Sequence, residues 1–155
     1  MNSCTAALHL ALEAIGLEAG DEVIVPTYTF AATGQVVTYL AARPVLADCG
    51  QGTFNIDVTT VEPLITRQTK AIIPVHIAGQ SCDMDPILEL ARKHGLHVIE
   101  DAAHALPATY KGKKIGTIGA SSTMSLCAWA SSWSRLLLSS SVAADWVSLS
   151  NSGLL

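Results

Sequence analysis

The sequence predicts an α/β fold, a parallel or mostly parallel sheet with helices on both faces, and three observations predict it. Short apolar runs alternate with segments of helical periodicity through the first hundred residues, the pattern of repeated β-α units. One of those runs, "AIIPV", is apolar throughout, as a strand covered on both faces requires. With 50% hydrophobic and only 14% charged residues, a chain of 155 residues can bury a sizeable core.

Each element has its own signal. Leu8, Leu12 and Ile15 recur at helical spacing within residues 5–15, and Gly16 stands where a left-handed cap belongs. "DEVIVP" reads as a short buried strand stopped by Pro26, and "FAATGQVVTYLAA" as a second helix with Thr29 as its cap. "RPVLADC" is the next strand; Thr59 or Thr60 caps a helix through "VEPLI"; "KAIIPVH" is the third strand. Asp85 followed by Pro86 is a favoured helix start, "ILELARKH" carries the periodic face, and Gly95 ends it before the strand "LHVIE". "YKGKKIGTIG" is turn-rich and reads as a hairpin with Gly112 in the turn.

The pattern breaks near residue 120. The last 36 residues hold twelve of the fourteen serines and all three tryptophans, but only two charged residues, Arg135 and Asp145. Two readings of residues 120–155 stand side by side: a poorly ordered or non-native end, or a packed helix through "SRLLLSSSVAADWV".

Composition narrows function by exclusion. A net charge of -4 without any basic block argues against nucleic acid and anionic membranes as partners, and no apolar run approaches the roughly 18 residues of a membrane span. Cys4, Cys49, Cys82 and Cys127 form no C-x-x-C pair, so neither zinc nor a disulfide framework is signalled, and reduced thiols in the cytoplasm are expected. The N-terminus lacks the basic region of a secretory signal. No G-x-G-x-x-G or Walker sequence is present, which argues against an ordinary doubly wound nucleotide-binding domain.

In parallel sheets, ligands gather beyond the carboxyl ends of the strands, and "VIVPTYTF", "IIPVHIAGQ" and "VIEDAAHA" all carry polar or aromatic residues there. Within "HVIEDAAHAL", a carboxylate at the strand end can cap a loop, bind a metal or face a cationic heterocycle, and the small Ala102 and Ala103 leave room for a flat ring. Glu100 should point to the other side of the strand and be structural. His76 either lines the pocket or packs. His94 and His97 straddle a helix-ending glycine, which argues against metal binding.

Five ordered motifs, "NSCTAALHLAL", "GDEVIVPTYTF", "PVLADC…TFNID", "TKAIIPVHIAGQSCDMD" and "HGLHVIEDAAHALPATYKGKKIGTIG", span about residues 2–119. In them the chain resembles the DegT/DnrJ/EryC1/StrS sugar aminotransferases, pyridoxal-phosphate enzymes of the aspartate-aminotransferase fold. The resemblance implies that residues 1–119 are part of the large, cofactor-binding domain. It implies that Thr5 and Ala6, at the start of the helix after Ser3-Cys4-Thr5, hold the cofactor phosphate on backbone N–H groups, a role that suits a helix N-terminus. Thr5 as an N-cap is compatible with this. Phe30, or less favourably Tyr28, would stack on the ring, with core packing as the lesser alternative for Phe30. Asp101 would pair with the protonated pyridine nitrogen and keep the ring electron-poor. His104 would hydrogen-bond the ring's phenolic oxygen, unless it is an ordinary loop histidine, and Ser125 would be a further phosphate contact.

The resemblance fails at one functional point. Relatives have a strand ending in S-F-Y-x-x-K, whose lysine carries the cofactor and moves the proton; here "STMSLCAWAS" stands in its place. Ala130, or Ser131 in the neighbouring register, occupies the lysine position, the last lysine of the chain is Lys114, and no histidine follows His104 as a substitute. Lys111, Lys113 and Lys114 lie upstream in a turn and should be solvated. No catalytic residue is therefore assigned, and the chain as written is expected to lack transaminase turnover. The family's preceding helical segment and small C-terminal domain have no counterpart, so a fragment of the large domain is expected. Intact relatives transfer an amino group from glutamate to a nucleotide-linked keto sugar and act as homodimers; "EDAAHALPATYKG" leans towards a 4-amino-sugar branch. The alternative is a non-catalytic module that keeps a cofactor or nucleotide pocket.

Overall fold

The computed structural model describes residues 3–105 and 108–118, together with the backbone of a short strand at 125–126. In chain order the elements are α1 (Cys4–Ala14), β1 (Glu22–Pro26), α2 (Ala31–Tyr39), β2 (Arg43–Ala47), α3 (Val58–Val61), β3 (Thr69–Ile72), α4 (Met84–His94), β4 (His97–Val98), β5 (Glu100–Asp101), β6 (Thr109–Tyr110), β7 (Lys113–Lys114) and β8 (Ser125–Leu126). The main sheet runs β2-β1-β3-β4, and every pair in it is parallel. The fold is the α/β class that the alternation predicts.

Strand alternation divides the core in two. Val23, Val25, Ala71, Ile73 and Ile99 face α1 and α2, where they meet Leu8, Leu12, Val36 and Val37. Their neighbours Ile24, Ile72 and Val98 face the other way, onto Val61, Met84, Ile87 and Leu90 of α3 and α4. Each central strand is therefore apolar on both sides, which is why its sequence shows no polar alternation.

Several local details differ from the expectations. α3 begins at Val58 because the Asp57 carboxylate, a stronger acceptor than a hydroxyl, takes the Thr59 and Thr60 N–H groups at 2.7 and 3.4 Å; Asp57, not either threonine, is the cap. Pro63 then tightens the chain into a 3-10 turn over Glu62–Leu64. Thr29 does not cap α2. The residue before the helix is Phe30, which makes no side-chain cap bond, while the Thr29 hydroxyl meets that of Thr33 at 2.8 Å. α4 starts at Met84, one residue before Asp85, and Gly95 closes it in the left-handed conformation at φ 67°. The third strand stops short at Ile72 as it approaches Pro74, which has no N–H to give to a ladder. "LHVIE" divides as the chain changes partners: β4 pairs with β3, and β5 pairs with β8.

The hairpin formed by β6 and β7 is antiparallel, with Lys111 and Gly112 in its turn at φ 48° and 80°. It docks on the start of α4. Tyr110 donates its hydroxyl to Asp83 and accepts the Asp85 N–H, and Lys111 pairs with Asp85 while lying 5.1 Å from the Tyr110 ring centre. Among the described residues no helix is long and apolar enough to cross a membrane.

Candidate functional site

Three segments converge at the carboxyl edge of the sheet. The N-terminus of α1 arrives because its apolar face packs on β1 and β3. The "PTYTF" segment leaves β1 and turns into α2 at Ala31. β5 ends at Asp101, where a tight turn through Ala102–Ala105 carries the chain away. Between them lies a cavity of about 80 Å³ lined by Cys4, Thr5, Phe30, Thr33, Asp101 and His104, among others.

Asp101 is 5% exposed and is held from several sides. The Thr33 hydroxyl, in the first turn of α2, donates to Oδ2 at 2.9 Å, and Thr29 extends that relay. The Ala103 N–H donates to Oδ1 at 3.2 Å, and the Cys4 thiol reaches the same oxygen at 3.5 Å. Its backbone is fixed too: the Asp101 N–H donates to Pro74 O at 2.9 Å, and Asp101 O accepts from the His76 N–H at 3.1 Å. A nearly buried carboxylate aimed at a cavity is suited to a cationic or N–H-bearing ligand, since an ion in such a place needs a partner.

Glu100 faces the opposite side of the strand, as alternation requires, and is fully buried. Its oxygens accept from Gly116 N–H at 2.9 Å, Ile118 N–H at 3.2 Å and the His76 ring at 3.2 Å. Burial pushes its pKa up, but the His76, Gly116 and Ile118 hydrogen bonds outweigh this and leave it below the usual 4.5. His76 Nδ1 accepts the Cys82 N–H at 3.1 Å, which assigns the ring proton to Nε2, directed at Glu100. His76 is thus a packed histidine and not a wall of the cavity. Burial pushes the Cys82 thiol up to about 12, removing it as a nucleophile.

Of the residues expected from sequence, Thr5, Phe30, Asp101 and His104 line one cavity. Phe30 is 75% exposed on the rim and belongs to no core cluster among the described residues. Tyr28 turns instead to Phe54, with ring centres 5.1 Å apart. Ala6 is exposed, and its N–H is taken by the Ser3 hydroxyl at 3.2 Å; Ser3 is the N-cap of α1. Of the two residues at that helix start, Thr5 is therefore the one on the cavity. The backbone of Ser125 pairs with Glu100, whereas its side chain, Ala130 and Ser131 lie outside the described residues. Lys111, Lys113 and Lys114 are exposed on the hairpin.

Sequence reasoning missed Thr33 and Cys4 as partners of Asp101. Thr33 carried one usable signal, a polar residue on the buried face of an apolar helix, where a hydroxyl needs a hydrogen-bond partner.

The model of the DegT/DnrJ/EryC1/StrS aminotransferase family matches residues 1–129. GDP-perosamine synthase of Caulobacter vibrioides is 59% identical over 124 residues, covering 80% of this chain and 33% of that protein. UDP-4-amino-4-deoxy-L-arabinose–oxoglutarate aminotransferase of Shewanella sediminis is 48% identical over 119 residues, covering 77% and 31%. Among solved structures, DesV of S. venezuelae in complex with a ketimine intermediate superposes with a TM-score of 0.73 at 45% identity, over 74% of this chain and 31% of that one. The chain spans about a third of the length of the curated relatives it matches.

Proposed function

This chain belongs to the DegT/DnrJ/EryC1/StrS aminotransferase family, and on that premise we propose that it carries the pyridoxal 5'-phosphate half-site of an enzyme that aminates a nucleotide-linked keto sugar. The observation that carries the reading is the cavity on which the start of α1, the Asp101 carboxylate and the Phe30 ring all open.

The residues present fit that cofactor in three respects. An eleven-residue helix ends its positive pole beside Thr5, where a phosphate would sit. Asp101, oriented by Thr33, would accept the pyridinium N–H in a charge-assisted bond. Phe30, standing on the rim, would cover one face of the ring, and His104 would meet its phenolic oxygen. The cavity is well below the roughly 300–1,000 Å³ of enclosed ligand pockets, so the ring would lie across its mouth, with Phe30 as its outer wall. When bound, the cofactor supplies an electron sink for the amino-group donor. The chain's own residues bind and orient it; residues 1–119 are the cofactor-binding part, and the amino donor is glutamate. The family's homodimer and a cytoplasmic location belong to the same reading.

Turnover is a separate matter, because Ala130 or Ser131 stands at the lysine position. The reading predicts reversible cofactor binding, followed by absorbance titration, with no borohydride-trapped adduct on a lysine. It also predicts no amino transfer from glutamate to a nucleotide-linked keto sugar. Ala130→Lys and Ser131→Lys provide the comparison: a covalent adduct in either one places that position at the cofactor. Robust turnover by the unaltered chain would overturn the inactivity, and failure to bind the cofactor would leave the chain a non-catalytic module of another kind.

A further inference from the structure

The regular ladder of the sheet ends just where Asp101 begins. β3 and β4 pair only through Ala71–His97 and Ile72–Val98, and beyond them the same edge continues as one isolated bridge between Val75 and Asp101. On its other side the strand end pairs with β8, Glu100 with Ser125 and Asp101 with Leu126. At this point His76 is joined to the strand twice: its backbone N–H donates to Asp101 O at 3.1 Å, and its ring meets the Glu100 carboxylate at 3.2 Å. Glu100 in turn holds the Gly116 and Ile118 amides, anchoring the segment that follows the hairpin. The Cys82 N–H fixes the ring from behind.

We infer that the buried Glu100–His76 pair is a positioning device for Asp101. It adds a side-chain constraint to the backbone pairing on the two sides of the strand, so that the direction of the Asp101 carboxylate depends on the residue beside it. The inference rests on the cofactor reading above and adds to it two residues that do not touch the cavity. A rotation of the strand end that moved a side-chain oxygen by an ångström or more would matter, because a charge-assisted hydrogen bond weakens steeply with such misalignment.

The test isolates the one contact in question. Binding of pyridoxal 5'-phosphate is compared with binding of its 1-deaza analogue, in which C–H replaces the ring nitrogen and only the Asp101 contact is lost. The ratio of the two dissociation constants cancels the folded fraction of each preparation, so a destabilised variant still reports. The unaltered chain should favour the natural cofactor by roughly ten- to a hundredfold, and Asp101→Asn should bring the ratio near one. Glu100→Gln, which keeps shape but puts an amide N–H against one of three donors, should reduce the ratio at least fivefold. His76→Leu, which removes the ring but keeps the Gly116 and Ile118 amide bonds to Glu100, should reduce it as well. If both variants weaken the two ligands equally and keep the ratio of the unaltered chain, Glu100 and His76 are merely structural and the inference is overturned. A ratio near one in the unaltered chain would instead overturn the cofactor reading itself, and this inference with it.

Discussion

Glu100 and Asp101 are consecutive carboxylates in one strand, nearly equal in burial, and the two sides of the strand use them differently. On the inner side, Glu100 is met by donors from His76, Gly116 and Ile118, all belonging to the protein. On the cavity side, Asp101 is met by Thr33, Ala103 and Cys4 and shares its surroundings with the mouth of a pocket. The difference teaches that burial alone does not mark a functional acid. A carboxylate surrounded by backbone amides and a fixed histidine ties segments together, whereas one whose environment opens on a helix N-terminus and an exposed aromatic can recognise a ligand.

The contrast can be broken most directly by truncation. Glu100→Ala leaves the buried Gly116 amide, the half-buried Ile118 amide and the His76 Nε2–H without this acceptor, and should destabilise the fold by about 3–5 kcal/mol in urea unfolding. Asp101→Ala should lose only about 1–2 kcal/mol, since fewer buried donors depend on it. Equal losses would erase the distinction between the two sides.

Acid provides a milder form of the same test. Glu100 has a native pKa below its ordinary 4.5, as does Glu22, whose value is lowered chiefly by the Thr66 hydroxyl against the opposing effect of burial, with help from Arg43. For a depressed carboxylate, the stabilisation is present above the ordinary pKa and is lost as pH falls below about 4.5 through the native value. Stability measured by denaturant titration should therefore fall on that acid limb, and Glu100→Gln should flatten it while leaving the Glu22 part. The effect is smaller than truncation because a protonated carboxyl still accepts hydrogen bonds. An unchanged slope in the variant would show that Glu100 is not ionised in the native state.

The smallest effect is expected on the cavity side. Thr33→Val keeps the shape of the helix face but removes the donor to Asp101 Oδ2. Stability should fall by about 1 kcal/mol, and cofactor affinity only a fewfold, because Ala103 still orients the other oxygen. A loss as large as that of Asp101→Asn would make the threonine the principal orienting group.

Much of the fold and part of the site were legible in the sequence, and the reason is range. Helical periodicity in α1 and α4, the left-handed Gly95, the apolar β3 and the Gly112 turn all act over a few residues, so each writes its signal locally. The β-α alternation those elements form is enough to imply a parallel sheet with its ligand edge at the carboxyl ends, and alternation within β5 already separates Glu100 from Asp101. What only the tertiary structure decided depends on where non-adjacent elements fall against one another: that Thr33 reaches Asp101 across 68 positions, that His76 packs against Glu100 across 24, and that Phe30 stays on a rim. A side-chain contact between distant segments is set by sheet register and helix packing, which the sum of many buried surfaces determines, and no short stretch of residues encodes that sum.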